Sequence, residues 1–148
     1  MLLIWKDGRC TNPPQDWAVT VMRSEYSEGW RFCASKNSGF GGIDDCHYAT
    51  ERQAQLACEA ALVRLGILPL PEWTARDATL AHIVAPTGEL WAEARRAGPI
   101  GYTWELLSIW DACGDVITFD EAQAAAERHL RAEYAAWLEA QAAKEGAP

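Results

Sequence analysis

Within twenty-six residues the chain carries Cys33, Cys46, His47 and Cys58. Zinc takes thiolates and imidazoles in a tetrahedron, and structural sites usually draw them from close pairs. The one close pair here is Cys46–His47, and adjacent side chains diverge on a regular strand. Cys58 falls on the small face of an expected helix. The pattern therefore predicts core cysteines and an exposed histidine, with no metal and no cofactor. The same dipeptide is the place to look for a thiolate beside a base, and adjacency argues against that use too. Asp44–Asp45 is a carboxylate pair of the kind that binds a cation or exchanges protons. Ahead of a helix, such a pair also serves as solvated negative charge near the helix N-terminus. "GFGG" (Gly39–Gly42) has the glycines of a phosphate cradle, but no lysine follows and the two aspartates repel phosphate.

Recognition suits these residues better than catalysis. Phe40 stands between glycines in an expected exposed loop, and a loop-borne aromatic is a common anchor. Trp137 lies with Tyr134 and Leu138 on the outer part of the second long helix, where they either cover the other half's sheet or form a docking surface. Phe40, Asp44, Asp45 and Trp137 are the candidate partner-binding residues. No catalytic residue is assigned.

Two helices must position these groups. "YATERQAQLACEAAL" (Tyr48–Leu62) and "VITFDEAQAAAERHL" (Val116–Leu130) lie at a constant offset of 68 residues, with six identities over the thirteen positions from Thr50 to Leu62. Thr50 with Gln53 and Thr118 with Glu121 both fit a capping box, with Asp120 a rival cap for the second helix. Ala54, Ala57, Cys58, Ala61 and Leu65 form one small face, and Ala122, Ala125, Ala126, His129 and Leu130 the other.

Candidate strands precede each helix: Trp17–Ser24 and Gly29–Asn37 in the first half, then Gly88–Arg96, Gly101–Trp110 and a short Val116–Phe119 in the second. "SGFGGIDD" reads as a Gly-rich loop. The expected fold class is α+β, two related units of antiparallel strands followed by one helix. The expected divisions are residues 1–66, a Pro-containing linker over 67–87 with a short helix from Pro71, and residues 88–148. Gly66 is the expected C-cap of the first helix, the second runs from Phe119 to Ala143, and the tail from Gln141 is expected to fray.

Composition narrows the function classes. A chain of 148 residues that is 49% hydrophobic can bury a core without staples. The five cysteines are odd in number and irregular in spacing, as in a reduced, cytoplasmic protein. "MLLIWKDGRC" lacks the basic region of a signal peptide, and no apolar run approaches a membrane span. The net charge of -8, with Arg95–Arg96 the sole basic pair, argues against direct nucleic-acid binding and fits a protein partner with a basic surface. Eight tryptophans favour core packing with some left for an interface.

The pattern of strands, a polar turn and then "T-x-x-x-A-Q-x-A-x-E-x-x-L" resembles small proteins encoded by phages and prophages, most in Gly29–Gly66 and less in Tyr102–Leu130. The resemblance implies an accessory protein that blocks a host defence, anti-CRISPR proteins among them, acting in the host bacterial cytoplasm on a nucleic-acid-handling complex such as CRISPR–Cas. It assigns no residue a chemical role. The resulting expectation is a non-enzymatic, acidic protein-binding protein. The rivals are a homodimeric structural or assembly protein, and an enzyme working through Cys46–His47 or Asp44–Asp45.

Overall fold

The structure, a computed structural model, describes residues 2–37, 39, 41–77, 79–84, 91–106 and 113–145. It is α+β, and the described residues form two five-stranded antiparallel sheets and two helices. Contacts divide the chain into unit 1, Met1–Leu68 with Ala135–Pro148, and unit 2, Pro69–Tyr134.

Unit 1 runs β1 (Trp5–Lys6), β2 (Arg9–Cys10), β3 (Trp17–Arg23), β4 (Trp30–Lys36), β5 (Gly42–Tyr48) and α1 (Glu51–Arg64). Its strands pair in chain order as a meander. Strand periodicity of two makes one face apolar. Val19 and Val21 lie opposite Ala34 and Phe32, and all four are buried. The same row ends at both sides in a tryptophan facing a cation. Trp17 pairs with Lys36 and Arg23 with Trp30, with the charges 5.8 and 5.4 Å from the ring centres. Such contacts contribute about 0.5–1 kcal/mol each where exposed.

Unit 2 runs β6 (Thr74–Asp77), β7 (Leu80–Val84), β8 (Trp91–Arg96), β9 (Tyr102–Leu106), β10 (Cys113–Val116) and the first part of α2 (Phe119–Glu145). The strand order is again that of the chain. Ala92 and Ala94 face Leu106 and Trp104 in the buried row. Two alanines on β8 make room for the larger pair on β9, so the sequence differs while the layer is kept. The stretch 67–87, expected as a linker with a short helix, supplies β6 and β7 instead. Alternation decides it, because Ala81 and Ile83 are buried while Leu80, His82 and Val84 point away. The third strand lies at Cys113–Val116 rather than Val116–Phe119, and Gln141–Glu145 is helical rather than frayed.

Both helices begin in the same way. Thr50 Oγ1 accepts the Gln53 amide at 3.0 Å, and Gln53 Oε1 reaches back to the Ala49 amide at 2.6 Å. Thr118 Oγ1 accepts the Glu121 amide at 3.1 Å, and Glu121 reaches back to the amides of Ile117 and Thr118 at 3.2 and 3.3 Å. Thr118, not Asp120, is therefore the cap. α1 has its C-cap at Leu65 rather than Gly66, which follows with φ of +75° and donates its amide to Val63 O, closing the last turn. Its buried residues, Ala54, Leu56, Cys58, Glu59, Ala60, Leu62 and Val63, cover more than one stripe. Leu65, expected on the small face, is exposed, and Ala57 and Ala61 border an open groove.

One further correspondence ties each helix to the start of its sheet. Glu59 is fully buried and its carboxylate accepts the backbone amides of Leu2 and Leu3, just before β1. Glu127, sixty-eight residues on, accepts the Trp73 indole N–H at 3.2 Å, just before β6. Each unit thus fastens its first strand to its own helix through the glutamate at the same repeat position.

Candidate functional site

The β3–β4 hairpin closes through the loop Ser24–Gly29. Serine hydroxyls favour turns by accepting nearby amides. Here Ser24 Oγ accepts the Ser27 amide at 3.2 Å and makes a 2.9 Å bond with the Ser27 hydroxyl, while the Ser24 amide donates to Gly29 O at 3.0 Å. The loop is therefore held from within, and it projects Tyr26 at 88% exposure between Glu25 and Glu28. Gly29 has φ of +106°, and a Cβ there would sit 2.7 Å from Tyr48 O. Only glycine permits that conformation and that approach.

β5 carries the groups beside this tip. Trp30 lies opposite Tyr48, but Phe32 lies opposite Asp45, so Arg31 faces two residues, Cys46 and His47. This is a β-bulge, which re-aims side chains. His47 takes φ of +73° to make it. A regular strand would send Cys46 and His47 to opposite faces. The bulge brings both to one open groove with Ser24, Tyr26, Ser27 and Arg31.

The expected acidic pair stands on this strand, not in a Gly-rich loop. Gly42–Tyr48 pairs with β4 because an edge strand tolerates glycine and charge. The two carboxylates are split by strand alternation. Asp44 lies opposite Cys33 on the outer face, with its side chain 70% exposed and 3.5 Å from Arg31. Asp45 lies opposite Phe32, and its oxygens accept the Cys46 amide and the Tyr48 hydroxyl, both at 2.8 Å. Burial and then the hydrogen bond to Asp45 push the Tyr48 phenol well above its ordinary value. Asp45 thus fixes the bulge, and Asp44 presents charge to solvent.

A second open groove of unit 1 has Ala57, Ala61, Ala142 and Ala143 as its floor. Tyr48, stacked on Phe32 at 5.9 Å, stands at its rim with the Arg64–Glu139 ion pair at 2.8 Å. Both partners of that pair are about half exposed, so it contributes little to stability. Trp137 lies on α2 within unit 1 and is 37% exposed, whereas Tyr134 and Leu138 are fully buried. Phe40 lies outside the described residues.

Among the described residues, no three or more His, Cys, Asp or Glu side chains are placed to hold a metal ion. Cys33 alternates with the buried Phe32 and Ala34 and so faces away from α1, while Cys58 is buried within that helix. Burial pushes the Cys58 thiol well above its ordinary value. Among the described residues no helix is long and apolar enough to cross a membrane.

Tyr26 and the bulge at His47 were not anticipated from sequence. Ser-Glu-Tyr-Ser-Glu-Gly between two strands was the available signal, since a hairpin loop whose residues are all small or charged except one aromatic has no core use for that aromatic. Comparison with known protein families, with curated proteins and with solved structures gives no match.

Proposed function

We propose that the chain is a non-enzymatic protein-binding protein that docks on a basic surface of its partner. The observation that carries this reading is Tyr26, held at 88% exposure on a loop braced by its own hydrogen bonds. An aromatic kept in water on a rigid tip is preorganised for burial, which lowers the entropy cost of binding. Tyrosine is among the residues that dominate binding energy. Glu25 and Glu28 flank it in the loop, and Asp44, 70% exposed and 3.5 Å from Arg31, lines the same groove; the loop carboxylates add negative charge that speeds encounter with a basic surface. The net charge of -8 acts in the same direction.

The resemblance of Gly29–Gly66 to small phage proteins suggests the kind of partner. A bacterial nucleic-acid-handling defence complex, CRISPR–Cas effectors included, presents basic ground that an acidic protein can occupy in the cytoplasm of the host. The test is affinity capture from bacterial lysate with the wild type, Tyr26→Ala and Asp44→Asn, retained proteins being identified by mass. The reading expects a protein retained by the wild type and depleted with both variants. The same proteins retained by all three baits would overturn it.

A further inference from the structure

The repeat shows what lies against the inner aromatic of each sheet. Trp30 pairs with Tyr48 two residues before the Thr50 cap, and Tyr102 pairs with Val116 two residues before the Thr118 cap. Two residues on from Trp30 and Tyr102, Phe32 and Trp104 therefore hold the same place, and both are buried. At the offset of 68, Ala61 of α1 corresponds to His129 of α2. In unit 2 the His129 ring, itself exposed, lies stacked on the Trp104 indole, with centres 4.6 Å apart and planes at 26°. In unit 1 the helix offers only the Ala61 methyl, and Phe32 is covered by Tyr48 from the strand side. The helix side is left as the alanine-floored groove, about 460 Å³ in volume, that Ala57 and Ala61 border. Two carboxylates, of Asp45 and Glu139, line it as hydrogen-bond acceptors. Asp45 accepts only the Cys46 amide and the Tyr48 hydroxyl, and a carboxylate has about four lone-pair sites.

We propose that this groove is the docking site for the imidazole ring of a histidine on the partner protein. The inference rests on the protein-binding reading above and adds a contact to it. The incoming ring takes the place beside Ala61 that the chain's own His129 takes in the second unit, and it meets the Tyr48 ring as its aromatic neighbour. Its N–H groups have acceptors waiting in the Asp45 and Glu139 carboxylates, and hydrogen bonds to charged groups are the stronger kind. A phenyl ring fills the same floor but brings no donor. The openness of the groove points to a side chain rather than a free small molecule. Pockets built for small ligands bury about 70–90% of them, whereas a ring carried in by a docked protein needs no such enclosure and loses less freedom on binding.

The test uses the whole chain, isotope-labelled, with N-acetyl-histidine methylamide as probe and its phenylalanine analogue as control. The histidine probe is expected to shift the amides of Tyr48, Ala57 and Ala61, and the phenylalanine analogue to bind at least about threefold more weakly for want of a donor. Ala61→His copies the side chain found at His129 and fills the groove from within. It is expected to weaken probe binding about tenfold, and to retain less partner from lysate than the wild type does. His129→Ala gives an independent reading even where Ala61→His fails to fold, because His129 is exposed. It opens the matching place in unit 2, and amides beside Trp104 are expected to join the response to the probe. No shift at Tyr48, Ala57 and Ala61, equal binding of the two analogues, or no new response beside Trp104 in His129→Ala would each overturn the inference. So would unchanged probe binding or unchanged capture with folded Ala61→His. The broader reading fails differently, by the wild type retaining no protein from lysate that Tyr26→Ala depletes.

Discussion

Substituting Glu59 tests whether the helix glutamates fasten the first strand of each unit. In Glu59→Gln the side chain keeps its shape but offers a single carbonyl oxygen, and its amide group turns donors toward the donors of Leu2 and Leu3. One backbone amide loses its partner in a region where Leu3 is 3% exposed and Glu59 fully buried. Hydrogen bonds to charged groups contribute about 1.5–3 kcal/mol, and stranding a buried donor costs about 1–3 kcal/mol. A loss of about 2 kcal/mol is therefore expected for Glu59→Gln, and about 3–4 kcal/mol for Glu59→Ala, which also leaves a cavity. Glu127→Gln should lose less, about 0.5–1 kcal/mol, because its side chain is 37% exposed and water can replace it. Urea unfolding gives the totals, and native-state hydrogen exchange at Leu2 and Leu3 locates the effect. Glu59→Gln within about 0.5 kcal/mol of wild type, the ordinary range of a surface substitution, with both amides still protected, would refute the tether.

Thr50→Ala and Thr118→Ala should each cost about 1 kcal/mol through loss of the cap, read as a lower urea midpoint with unchanged slope. Gly29→Ala should destabilise by more than about 1 kcal/mol, because φ is +106° and the added carbon would meet Tyr48 O at 2.7 Å; a neutral result in thermal melting would contradict the geometry. With iodoacetamide and mass mapping, exposed Cys113 should react in the native protein and Cys58 only on unfolding. The raised Cys58 value also has a sign. Unfolded thiol ionises above its ordinary value of 9.0 while the folded one stays protonated, so this group's contribution is full below that pH and declines above it; Cys58→Ala should flatten the decline.

Both helices and their caps were legible because capping chemistry is local. Thr50 with Gln53 and Thr118 with Glu121 bond as the spacing predicts. The central strands β3, β4, β8 and β9 were legible because each alternates buried and exposed residues. β5 was hidden by Gly41, Gly42, Asp44 and Asp45, which have poor strand propensity and are tolerated at an edge. β6 and β7 were hidden because Pro69 and Pro71 suggested a linker, although Leu70-x-x-Trp73 repeats Leu2-x-x-Trp5 at the same offset of 68. Of the candidate site, Asp44 and Asp45 were legible as an acidic pair but not as strand residues, and the bulge that gathers Cys46 and His47 depends on pairing with β4 and carries no local signature.

The most direct test of the account is the association rate with the captured partner, measured against ionic strength for the wild type and the charge variants. Surface charges act over about 8 Å at about 0.15 M salt and much farther at low salt. Association should therefore slow as salt rises toward that level, and Asp44→Asn and Glu25→Gln/Glu28→Gln should each flatten the dependence. Tyr26→Ala, Phe40→Ala and Trp137→Ala should instead speed dissociation. A salt-independent association rate, with dissociation unchanged by all three aromatic substitutions, would contradict the account.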